Sequence, residues 1–369
     1  MNASQAQGRP QALWIEPDRD PVFALDQTRL PHETRVLEFT RVEQVAEAIR
    51  AMRVRGAPLI GIAAAFGLAL AVREDASLAA EEAAARELLA TRPTAVNLAW
   101  AIARVRAALA GALTGERAAR AWAEAGQVLA DEIAVCSAIG DHGLARLVAL
   151  WRVRHTAGAE TLNVLTHCNA GWLATGVWGT ALAPVYKARE AGIPVHVWVD
   201  ETRPRGQGAS LTAWELGQAG VPHTLITDTM SGHVLQRGHA DVCLVGSDRT
   251  TASGDVCNKI GTYLVALAAH DNHVPFYACV PTSSIDWTLD DGVLQVPIEE
   301  RAQDEVTHAR GLTVAGRIEA VRVGPEATTA ANFAFDVTPA RLVTGIVTEH
   351  GVFPASAAGL MPLREKIGV

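Results

Sequence analysis

The chain has 369 residues, 49% of them hydrophobic, with 40 acidic and 32 basic side chains and a formal charge of −8. That length holds one large or two ordinary globular domains with ample core. The acidic balance excludes bulk attraction to nucleic acid or to an anionic membrane, so any anion site must be local.

In chain order, ALWIEPDRDPVFALDQTRLP alternates apolar and polar residues around the turn material Pro17 to Asp20 and predicts a small opening hairpin. Helical periodicity follows over 42–54, 58–73, 78–90, 96–111 and 117–138, rich in Ala. The longest apolar stretch, Ala57 to Val72, is shorter than a bilayer span of about 20 residues and reads as a buried helix. Residues 140–158 form a boundary helix or linker, and the division is placed at 150, between a mainly helical N-terminal domain (1–150) and a second domain (151–369).

Beyond it the pattern alternates: strand 161–166, helix 174–191, strand 194–199, helix 209–219, strand 222–226, helix 229–237, strand 241–245, helix 257–270, strand 275–280. Such βα alternation predicts a doubly wound parallel sheet, hence an α/β protein. A loop-rich stretch at 282–339 precedes a further strand-like run in 340–353.

Five scattered cysteines without CxxC spacing argue against disulfides and structural zinc and suit a reduced, cytoplasmic setting; no signal peptide opens the chain, and no metal or cofactor is expected. Cys168, in THCNAG, stands just past an apolar strand, whereas Cys136, Cys243 and Cys279 lie within core patterns. Position leaves Cys168 open between a reactive thiol and a small buried hydrophobe. Asp248, in GSDRTT, also follows a strand and reads either as a general acid or as half of an ion pair with Arg249. Both stand where the strand ends of an α/β sheet form a ligand crevice.

Anion-binding features cluster around them. RVRGAPLIG puts Arg55, Gly56 and Ala57 at a helix start beside Pro58, and TRPTAVN repeats the device with Arg92. GDVCNKIGTY reads as a turn feeding a helix whose first turn carries Asn258 and Lys259, a fit for phosphate or simply a capped helix with a solvent-facing lysine. The loop DETRPRGQG, with Asp200, Glu201, Arg203, Arg205 and Gln207, can reach a polyhydroxylated ligand or be a salt-bridged turn. Neither GxxxxGK[ST] nor GxGxxG occurs, which removes the ordinary nucleotide loops.

Taken together and in order, LDQTRLP, RVRGAPLIGIAAAFGLALA, RPTAVNLAWA, THCNAG, DETRPRGQGASLTAWEL and GSDRTTASGDVCNKIGTY resemble the methylthioribose-1-phosphate isomerases of the translation initiation factor 2B alpha/beta/delta family, over about residues 10–355. The resemblance implies an aldose–ketose isomerase of methionine salvage that converts 5-methylthioribose 1-phosphate to 5-methylthioribulose 1-phosphate. It also implies a homodimer whose helical N-terminal domain is followed by a Rossmann-like C-terminal domain. Carried over by position, it makes Asp248 the proton donor and Cys168 the partner in C2-to-C1 hydrogen transfer. Substrate binding then falls to Arg55, Gly56, Ala57, Arg92, Gln207, Asn258 and Lys259.

The sequence departs from the commoner family pattern at Trp172, Gly206, Ser210 and Ser247. The alternatives are an isomerase of 5-deoxyribose 1-phosphate or of ribose 1,5-bisphosphate, a non-catalytic regulatory subunit, or a ligand-sensing module. No second cationic cluster is evident in the sequence, which weighs against the bisphosphate.

Overall fold

The computed structural model describes residues 10–16, 21–93 and 95–369; the turn expected at 17–20 lies outside them. Its arms are present as antiparallel strands β1 (Leu13–Ile15) and β2 (Val22–Leu25), joined by β3 (Val36–Phe39), a strand the alternation did not single out. Five helices follow: α1 (Val42–Arg50), α2 (Ala57–Glu74), α3 (Leu78–Thr91), α4 (Val96–Leu109) and α5 (Thr114–Thr156).

The middle of α2, from Leu59 to Val72, is buried throughout. A helix apolar on all sides is a core helix, and α3, α4 and α5 pack around it. Two helices, α2 and α5, are long and apolar enough to cross a membrane, but α2 is enclosed by its neighbours and α5 packs on α2, α4 and the sheet. α5 absorbs both the 117–138 helix and the 140–158 segment into one element.

The second half begins with β4 (Leu162–Thr166), α6 (Trp172–Thr175), α7 (Ala183–Glu190), β5 (Val195–Asp200), α8 (Ala213–Gln218), β6 (His223–Ile226), α9 (Met230–Gln236) and β7 (Val242–Val245). It continues with β8 (Arg249–Thr251), β9 (Val256–Lys259), α10 (Thr262–Asp271), β10 (Phe276–Cys279) and β11 (Ile285–Asp286). The remaining elements are α11 (Gly292–Gln295), α12 (Asp304–Thr307), β12 (His308–Leu312), β13 (Ile318–Arg322), β14 (Phe335–Thr338), β15 (Gly345–Thr348), β16 (Gly351–Phe353) and α13 (Ala357–Ile367).

The main sheet runs β16-β15-β10-β7-β4-β5-β6, parallel except for the edge strand β16. Taking its six parallel strands in sequence order gives 3-2-1-4-5-6, the doubly wound arrangement in which connections leave β4 and β7 in opposite directions. Cys168 follows β4 and Asp248 follows β7, so the two flank the switch point where such sheets open a crevice.

Two helix expectations need correction. The 174–191 run is split, because Gly176 (φ 123°) and Gly179 (φ 82°) take positive-φ conformations between α6 and α7. The 257–270 run is not a helix at its start: 256–259 is strand β9, paired antiparallel with β8 and β14. Pairing on both edges holds it as a strand, and Gly261 (φ 103°) makes the break before α10.

Candidate active site

The nine residues singled out for chemistry or binding, Arg55, Gly56, Ala57, Arg92, Cys168, Gln207, Asp248, Asn258 and Lys259, all line one cavity between α2, the ends of β4 and β7, and β9. α2 presents its N-terminus there. Gly56 caps it at φ 99°, a backbone conformation closed to other residues, and a Cβ would lie 2.6 Å from the Ala174 Cα. Pro58 lacks the amide that would go unpaired, while the dipole of an 18-residue helix aims positive potential into the pocket.

Arg55, just before that turn, is buried and held by one residue: Nη1 donates to Asn169 Oδ1 at 2.6 Å and Nη2 to the Asn169 carbonyl at 2.9 Å. Asn169 in turn donates to Glu215 Oε2 at 3.0 Å and Thr212 Oγ1 at 3.2 Å. Fully buried, Glu215 also accepts from the Tyr186 hydroxyl at 2.6 Å and from the amides of Trp172 and Leu173. Gly171 leaves room for that carboxylate, since a Cβ would lie 1.5 Å from Oε1.

Cys168 sits at φ 66°, unusual for a residue with a side chain. Its amide donates to Thr202 Oγ1 at 2.8 Å and its carbonyl accepts from the Thr212 hydroxyl at 2.7 Å. The thiol faces Gln207 Oε1 at 3.6 Å. Burial pushes it above the ordinary thiol value, Arg55 and Lys259 pull it back, and Asp248 pushes the same way as burial.

Asp248 is likewise raised above the usual carboxylate range by burial, against the attraction of Lys259, Arg92 and Arg55. Its amide donates to the Cys257 carbonyl at 2.9 Å, which fixes it against β9, while Arg249 turns to Asp286 at 3.4 Å. Lys259 is lowered by burial, partly offset by Cys168 and Asp248, and its ammonium lies 4.4 Å from the Phe335 ring centroid.

The expected phosphate role for a helix start at 257 is withdrawn. Asn258 and Lys259 reach the cavity from a strand, and the amides of Gly261 and Tyr263 at the true start of α10 already donate to Asp336. Asn258 Nδ2 donates to Thr262 Oγ1 at 3.0 Å.

Sequence reasoning missed the groups supplied by the loop-rich stretch: Pro297, Val296, Arg301 and Phe335 line the cavity, and Arg92 binds Glu299 at 3.2 Å. It also missed Glu215, whose signal was an acidic residue in an otherwise apolar helix start. Of the four departures from the family pattern, Ser247 lines the cavity and Gly206 and Ser210 line a neighbouring cleft, whereas Trp172 packs on Trp214 at 5.7 Å between ring centroids.

That cleft, about 760 Å³, shares Met52, Arg55 and Gln207 with the cavity and brings together Arg29, Arg203, Arg205 and Arg310 from three separate segments. Glu201, Asp304 and Glu305 line the same cleft and Arg205 pairs with Glu305 at 2.6 Å, so its charges are mixed, an arrangement the linear sequence did not display. Arg310 is lowered first by burial and then by Arg29.

The Initiation factor 2 subunit family model matches residues 53–355. The chain belongs to that family. A relative from Rhodospirillum rubrum, named methylthioribose-1-phosphate isomerase, is 56% identical over 353 residues, 95% of this chain and 90% of its own length. The crystal structure of 5-methylthioribose 1-phosphate isomerase from Pyrococcus horikoshii superposes with a TM-score of 0.83 at 38% identity, covering 97% of this chain and 96% of that one. The translation initiation factor eIF-2B delta subunit from A. fulgidus gives 0.76 at 37% identity, over 93% and 96%.

Proposed function

We propose that the chain is a methylthioribose-1-phosphate isomerase, an enzyme acting in methionine salvage as a homodimer. The observation that carries this reading is the meeting of a half-buried carboxyl (Asp248), a buried thiol (Cys168) and the cations Arg55, Arg92 and Lys259 in one cavity. The 56% identical relatives bearing that name support it, and the apolar wall of Met52, Ile60, Val296, Pro297 and Phe335 suits a methylthio group.

A sugar 1-phosphate has its anomeric carbon locked and cannot open to a free aldehyde unaided. In this mechanism Asp248 gives its proton to the ring oxygen as the C1–O bond breaks. Hydrogen then moves from C2 to C1 and the C2 hydroxyl loses its proton, leaving the ketone. Cys168 serves either as the base that carries the C2 proton through an enediol phosphate or as the group flanking a direct hydride shift. Arg55, Arg92, Lys259 and the α2 N-terminus hold the phosphate, and Gly56, Ala57, Gln207 and Asn258 complete the walls around the sugar.

The test is NMR in deuterated water with methylthioribose 1-phosphate, 5-deoxyribose 1-phosphate and ribose 1,5-bisphosphate in parallel. Preferred turnover of the first supports the main reading, and solvent deuterium at C1 supports proton transfer over hydride shift. Binding without turnover of any of them would move the assignment to a non-catalytic family member. Light scattering at twice the 39.0 kDa chain mass would support the dimer.

A further inference from the structure

Cys168 and Lys259 share a cavity, yet they come from different sheets. Cys168 follows a central strand of the seven-stranded sheet, and Lys259 ends β9 of the four-stranded sheet β11-β8-β9-β14. The imidazole of His167 spans the join. It is buried, with Nε2 2.8 Å from the carbonyl oxygen of Ile260, the residue after Lys259, and Nδ1 2.9 Å from Asp200 Oδ2. A carbonyl oxygen only accepts, so Nε2 carries a proton, and a second proton lies between Nδ1 and the carboxylate.

The surroundings leave this ring no freedom. Asp200 also accepts from the Ser231 hydroxyl, and Asp228, which faces the same ring, accepts the amides of Thr202 and Arg203 at 2.6 and 2.7 Å. Asp336, the remaining acid that senses the ring, is tied to the amides of Gly261 and Tyr263. A Cβ on Gly261 would lie 2.8 Å from His167 Cε1, so the loop after Lys259 closes on the ring with no spare volume. On the other flank, Cys168 holds a left-handed backbone at φ 66°, which is strained for a residue with a side chain and persists only when its surroundings enforce it.

We propose that His167 is a positioning residue that braces the Cys168 turn against the Ile260 carbonyl, and so sets the separation between the Cys168 thiol and the Lys259 ammonium. It does not line the cavity. The kinetic arm of its test rests on the isomerase reading; the chemical arm does not.

The experiment compares full-length wild type with His167→Ala, His167→Gln and Asp200→Asn. A misplacement of about 1 Å costs on the order of 10²-fold, so His167→Ala should lose that much kcat while KM moves far less. Gln keeps a donor for Ile260, and an Asn at 200 can donate to a neutral imidazole that still donates from Nε2. Both should therefore lose at least tenfold less than His167→Ala, roughly one hydrogen bond's difference. In parallel, iodoacetamide labelling of Cys168, read by peptide mass, should speed up roughly tenfold in folded His167→Ala as the turn opens locally.

Retained kcat in His167→Ala, a loss confined to KM, or an unchanged labelling rate overturns the brace. Equal losses in all three variants that follow the loss of folded protein by circular dichroism overturn it too. Wild type that labels as expected but turns over no sugar phosphate fails the isomerase reading and leaves the labelling comparison to decide the brace.

Discussion

Arg55 and Asn169, 114 residues apart, meet in a two-pronged hydrogen bond in which both terminal guanidinium nitrogens are taken up by one residue, the side-chain oxygen at 2.6 Å and the main-chain oxygen at 2.9 Å. The asparagine thereby fixes the plane of the guanidinium beside the α2 N-terminus, and Glu215 fixes the asparagine. The arginine is lowered by burial, so the cation is held by geometry rather than by a partner charge in direct contact.

Asn169→Ala should therefore raise KM for a sugar phosphate without a matching fall in kcat. A hydrogen bond to a charged group contributes about 1.5–3 kcal/mol, which corresponds to roughly 10–100-fold in affinity. Steady-state kinetics with inorganic phosphate as competitor reads both effects. A KM within twofold of wild type would mean that Arg55 does not hold the phosphate.

Asp248→Asn should cost about 10²–10⁴-fold in kcat, the usual contribution of a general acid, and leave substrate binding nearly intact. The pH profile gives the sign. Burial raises the Asp248 pKa, so the proton needed for ring opening is present below that value and lost as pH rises through it. Wild-type kcat/KM should thus fall on its alkaline limb, and the residual rate of the Asn variant should lack the limb. Substantial retained activity would remove Asp248 from the proton-donor role.

Gly56→Ala tests the helix start itself. Alanine would meet Ala174 at 2.6 Å and would hold a conformation that only glycine adopts without strain. The expected cost is at least about 2 kcal/mol of stability, together with weaker phosphate binding as the α2 N-terminus shifts. Urea denaturation and phosphate titration check the two parts separately.

Much of this was legible in the sequence because its signals are local. The apolar runs at 162–166 and 242–245 are short, β-branched and followed by turn residues, as buried parallel strands require. What the sequence hid was set by tertiary contact. VCNK became a strand rather than a helix start because β14, some 80 residues on, supplies its pairing partner. The arginines of the second cleft stand at 29, 203, 205 and 310, and only folding brings them together. Glu215 looked like one acidic residue on a helix, yet it accepts hydrogen bonds from two separate stretches, 169–173 and Tyr186. Chemistry carried by residues next to strand ends can be read in a line; chemistry carried by their supports cannot.

One carboxyl outside the cavity lining also titrates away from its ordinary range. Glu132, on the face of α5 that packs toward β15, is buried with the Cys136 thiol donating to it at 3.2 Å, and burial raises it to about 7. Because the folded pKa lies above the unfolded one, the native state binds the extra proton between about 4.5 and 7. Its contribution is fully present below pH 4.5 and is lost as pH rises through about 7. At pH 8 the charged form then costs about 3 kcal/mol relative to a neutral group of the same shape. Glu132→Gln should accordingly be more stable than wild type at pH 8, with the gap closing toward pH 4.5. Urea midpoints at four or five pH values read this directly, and a gap that does not change with pH would show that Glu132 stays ionised across the range.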